Sequence, residues 1–132
     1  MTISACTSEH SMEHAMSAYH QNLPHGAGLI MISKEYYQYF IDKHACDDGF
    51  IRMAKTLGMQ DAKKPQDFIT MLVKLQETCR VADLKMSGYG IQKSELEKMA
   101  TNARKTMGGL FMCDPCPLSH EDCVKIYEKS YK

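Results

Sequence analysis

Four of the six histidines lie between Glu9 and Gly28, at positions 10, 14, 20 and 25. His10 and His14 are four residues apart, so on a helix both imidazoles project from one face about a turn apart. His25 stands between Pro24 and Gly26, where a turn can end and a second helix begin, bringing a third imidazole back toward the first two. A single helical histidine is ordinarily a surface or hydrogen-bonded core residue. Three that converge are harder to explain structurally, because each desolvated ring must replace its lost water bonds, whereas a divalent cation uses all of them. The pattern therefore points to a metal centre. Glu9 and Glu13 precede histidines instead of following the first one, so the His-Glu-x-x-His arrangement of zinc proteases is absent. Both carboxylates are expected about a hundred degrees around the helix from their neighbouring rings.

The elements that must hold these residues read as helices. The first covers Ser4 to about Tyr19, with a break over Gln21–Pro24. The second runs from His25 to about Asp42, and Leu29, Ile30, Ile32, Tyr36, Tyr37, Phe40 and Ile41 surround it so fully that it should be the central helix. A third carries Phe50, Met53, Ala54 and Leu57 and stops at Gly58, a natural left-handed cap. Pro65 opens a fourth, with Phe68, Met71, Leu72, Leu75 and Cys79 on its inner side. Ser94 and Glu97 suggest a capping box for a fifth, in which Leu96, Ala100, Ala103 and Met107 face inward before Gly108-Gly109 stops it. Ser119 and Asp122 start a sixth with Val124, Ile126, Tyr127 and Tyr131. No segment alternates as a strand does, so the expected fold class is all-α, a bundle of about six helices forming a single domain over residues 1–132.

Composition excludes several functions. Lysine plus arginine number sixteen, as do aspartate plus glutamate, so no net field favours nucleic acid or an anionic membrane. The longest fully apolar runs are only a few residues, such as Leu29–Ile32, and the N-terminus lacks the basic and hydrophobic segments of a signal peptide; a cytoplasmic protein with reduced thiols is the expectation. Cys113-Asp-Pro-Cys116, with His120 and Cys123 beyond it, is too compressed for a structural zinc site and follows no strand, as a thioredoxin-like motif should. The eleven methionines are read as core filling. No Gly-rich phosphate loop or Gly-x-Ser-x-Gly elbow is present.

The stretch Ser8-Glu-His-Ser-Met-Glu-His-Ala-Met-Ser-Ala-Tyr19, followed by Leu23-Pro-His-Gly-Ala-Gly-Leu-Ile30, resembles the second half of the iron-containing (group III) alcohol dehydrogenases. Leu57-Gly-Met59 and the loop Cys113-Asp-Pro-Cys-Pro-Leu-Ser119 extend the similarity over essentially the whole chain. The resemblance implies that His10 and His25 are two of four ligands to a catalytic divalent metal, iron(II) or sometimes zinc. It makes His14 a residue near substrate and nicotinamide that passes protons or holds the substrate. The family interconverts small alcohols and aldehydes with NAD or NADP, the metal acting as a Lewis acid.

Only the C-terminal part of the family is represented. The dinucleotide-binding domain and the Asp-x-x-x-His pair that would complete the ligand set have no counterpart here. The expectation is a metal-binding helical fragment, inactive alone, with affinity falling below about pH 6.5 as the imidazoles protonate. A stand-alone helical metal-binding or assembly module is the alternative. Apolar surface stripped of its partner helices is expected near Ile3, Met12 and Met16, with self-association as its consequence.

Overall fold

The computed structural model describes residues 6–132, and among these every regular element is helical. Six α-helices follow in order: α1 (Ser8–Tyr19), α2 (His25–Asp42), α3 (Asp47–Thr56), α4 (Gln66–Thr78), α5 (Leu96–Thr106) and α6 (His120–Ser130). Single 3-10 turns at Ser87–Tyr89 and Lys93–Glu95 lead into α5, and a longer one at Gly108–Cys113 leaves it. No helix among the described residues is long and apolar enough to cross a membrane.

Helix α2 is central, as its apolar circumference requires: α1, α4 and α6 all pack on it. Met31, Ile32, Tyr36, Phe40 and Ile41 are buried, and Tyr37 makes edge-on contacts with the rings of Phe50 and Phe68 from α3 and α4. On its other flank α1 packs against α5, and α5 against α6, closing a continuous core from Met12 to Tyr127. The Tyr127 hydroxyl donates to the Met12 carbonyl at 2.6 Å, tying the last helix to the first.

The expectation of bare apolar surface near Met12 and Met16 is overturned, since both are 0% exposed. Helix α5, some eighty residues downstream, covers that face with Leu96, Met99, Ala100 and Ala103. Ile3 lies outside the described residues. So does the expected start at Ser4; the described helix begins at Ser8. Its first amide, Ser8 N–H, donates to Asp114 Oδ1 at 3.0 Å, and Thr7 supplies no side-chain cap. Asp114 also accepts from Tyr36 Oη at 2.9 Å. The central aspartate of the Cys113–Cys116 loop is thus an N-terminal acceptor for α1, borrowed from the far end of the chain.

Helix ends follow local chemistry. Gly58 takes φ 111° after α3, with Met59 N–H bonded to Ala54 O and Gly58 N–H to Lys55 O. This is a Schellman closure at the residue expected to provide one. The box before α5 is formed by Gln92 and Glu95, two residues earlier than Ser94 and Glu97, because the 3-10 turn brings Glu95 within 2.8 Å of the Gln92 amide. Ser119 and Asp122, expected to start the sixth helix, do so by forming a capping box at α6.

Two inner-face assignments also need correction. Leu75 of α4 and Cys79, just past its end, are exposed: Gln76 turns toward α2, its amide donating to Ile30 O, and leaves Leu75 a hundred degrees away. Met53 and Met112 are 39% and 88% exposed, so core filling does not account for every methionine.

Candidate metal centre

The corner between α1 and α2 gathers the three histidines singled out above. Pro24, extended at ψ 137°, sets the start of α2 so that His25 is its first residue. The ring of His25 lies 5.3 Å from that of His10 and 5.1 Å from that of His14, centroid to centroid. His10 is half-buried, while His14 and His25 are exposed. Burial holds the His10 pKa below its ordinary value, helped by the neighbouring His25 and His14 rings and opposed by Glu13. A neutral imidazole, the form that can donate a lone pair to a cation, is thereby favoured.

Sequence reasoning missed Glu13. Its side chain is fully buried, and one carboxylate oxygen pairs with His25 Nδ1 while the other accepts from the Ser17 hydroxyl. The hundred-degree offset from His14 does turn this carboxylate away from the histidine face. It turns it into the α1–α2 interface, where the first turn of α2 presents His25. Gly28 leaves the space: a Cβ there would stand 2.6 Å from Glu13 Cγ. The available signal was the glycine three residues after His25, although a lone helical glycine has other readings.

Glu9, one turn before Glu13, enters the same interface and accepts from Ser33 Oγ at 2.7 Å and Tyr37 Oη at 3.1 Å. Burial raises its pKa, and those two hydroxyls counteract the rise. It braces α1 on α2. The fourth histidine of the run, His20, bonds Glu95 at 3.1 Å and anchors the end of α1 beside the start of α5.

Among the described residues, one group of three metal-type side chains brings its donor atoms within 4.8 Å of one another: Glu13, His14 and His25. His10 reaches the same corner through its ring contact with His25. The C-terminal cysteines form no such group. Cys113 is exposed, Cys116 half-buried and Cys123 fully buried, with burial pushing its thiol up to about 12. A thiol held so high remains protonated and makes a poor nucleophile or ligand.

The described residues thus form an all-α bundle that presents clustered imidazoles at a helix–turn–helix corner. Comparison gives the family. Residues 1–131 match the sequence model of the Fe-containing alcohol dehydrogenase family, C-terminal, and the chain belongs to that family. The archaeal halo-thermophilic alcohol dehydrogenase ADH/D1 from a Red Sea brine pool superposes with a TM-score of 0.80 at 29% identity, over 98% of this chain and 34% of that one. A mutant of the same enzyme gives 0.79 at 28% identity, with the same coverage. A 1,3-propanediol oxidoreductase gives 0.79 at 17% identity, over 95% of this chain and 32% of that one, a likeness of fold alone. The chain therefore spans about a third of the length of these solved structures. No curated protein matches it significantly.

Proposed function

We propose that the chain is a single helical metal-binding domain of an iron-dependent alcohol dehydrogenase that interconverts small alcohols and aldehydes with NAD(P). The observation that carries this reading is the approach of the His10 and His14 rings to His25 across one helical corner, in a chain that belongs to the family. The donor set fits a divalent transition metal such as Fe2+ or Zn2+: neutral nitrogen donors, a half-buried ring whose pKa is lowered, and a carboxylate behind one of the imidazoles. His10 and His25 would hold the ion. When bound, it supplies a Lewis acid for the alcohol or carbonyl oxygen.

His14, exposed one turn beyond His10, is free to hold the substrate hydroxyl or carry its proton at a ring nitrogen. Two imidazoles bind a metal weakly by themselves, because affinity depends on ligand number and a preformed geometry. NAD(P) binding is assigned to protein outside this chain, which is accordingly inactive alone. Six free cysteines accord with a reducing, cytoplasmic setting.

Metal analysis of protein purified without chelators or affinity tags tests the reading. Equilibrated with dilute iron or zinc, native protein should take up metal, and His10→Ala and His25→Ala should take up less. Equal content in all three would overturn the ligand assignment. NAD(P)-linked oxidation of short alcohols should be absent; activity dependent on His10 would overturn inactivity alone. One observation favours a second reading, a stand-alone metal-binding or assembly module: with Met12 and Met16 fully covered, the described helices close their own core.

A further inference from the structure

We propose that Glu13 is the positioning residue of the metal corner: it holds the His25 proton on Nδ1 and so presents Nε2 as the free donor. This rests on the metal-binding reading above and adds a residue to it. An imidazole in water exchanges between two tautomers and rotates about two bonds. Ligation requires one nitrogen without a proton and pointing outward, so any group that fixes the tautomer and the ring plane prepays the ordering.

Three observations place Glu13 in that role. Its side chain has no exposed surface, an ionised carboxylate can only accept, and the atom it faces is His25 Nδ1. The Ser17 hydroxyl, one helical turn on, donates to the other oxygen and fixes the carboxylate plane. The backbone of α2 is shaped for this side chain, since the Cβ missing at Gly28 would also lie 2.8 Å from Glu13 Oε1. The His25 side chain meanwhile remains 47% exposed, leaving its second nitrogen for solvent or a ligand. A carboxylate serving as a direct ligand would turn an oxygen lone pair toward the ion and out of the helix interface. Glu13 spends its oxygens on Ser17 and His25 instead.

Nitrogen-15 NMR of the metal-free full chain at about pH 8, more than a unit above the free imidazole value of about 6.5, reads the tautomer directly, with His25→Gln identifying the resonance. The native protein should show His25 protonated on Nδ1, and Glu13→Gln should shift it toward a tautomer mixture with the helical circular dichroism retained. Zinc affinity, measured by competition with a chromophoric chelator, should fall about 10- to 100-fold in Glu13→Gln. A native His25 protonated on Nε2 would overturn the proposal without recourse to any variant. So would a Glu13→Gln protein that keeps both the tautomer and the affinity. Failure of the underlying reading looks different: native protein would then bind zinc no better than His25→Ala, whatever the tautomer.

Discussion

At the scale of single residues, the corner depends on one absent methyl group. Alanine exceeds glycine in helix propensity by about 1 kcal/mol, so Gly28→Ala would ordinarily stabilise α2. Here the new Cβ would meet Glu13 Cγ at 2.6 Å, and the buried carboxylate could move only by giving up its bonds to Ser17 and His25. The clash should win, lowering stability by about 1–3 kcal/mol in chemical denaturation. A protein made more stable by Gly28→Ala would show that Glu13 has room to spare. Both glutamates are buried for the same reason: α1 turns its histidines to the open side and its carboxylates toward α2.

At the scale of elements, α6 shows how an acidic cap reports on pH. Burial pushes the Asp122 carboxyl up, but the Ser119 hydroxyl and amide and the Tyr39 hydroxyl all donate to it and together hold its pKa below the ordinary value. A carboxyl depressed in the folded state contributes stability that is complete above its unfolded value of about 4 and is lost as pH falls through the folded value. Asp122→Ala should therefore cost about 1 kcal/mol near neutrality, with a smaller penalty at about pH 3, below the unfolded value. Urea melts of the two proteins at both pH values measure this. A penalty equal at both would assign the effect to packing instead of the charge.

At the scale of the whole molecule, the first and last helices are joined by a buried phenol. Burial raises the Tyr127 pKa well above its ordinary value, so the hydroxyl remains a donor to Met12 O. Tyr127→Phe leaves the ring packed but removes that donor, and should cost about 1–2 kcal/mol, or several degrees in Tm by calorimetry. An unchanged melting temperature would mean that the α1–α6 closure rests on apolar contact alone. The same long-range closure explains the Asp114 loop: Asp-Pro between two cysteines looks like a chemical motif, yet its carboxylate serves the α1 amide 106 residues back and Tyr36 78 residues back.

What the sequence determined by itself was local. The 3.6-residue apolar period fixed six helices and the centrality of α2, Gly58 and Ser119 marked helix ends through their own backbone and hydroxyl chemistry, and the His10–His14 spacing put two rings on one face. Tertiary structure decided what no local pattern encodes. It covered Met12 and Met16 with α5, moved the box before α5 to Gln92 and Glu95, left Leu75 outside, and carried the buried carboxylate of Glu13 to His25. Each of these depends on which distant helix arrives and at what angle, and that follows from how the apolar faces of all the helices bury one another together, not from the residues flanking any one position.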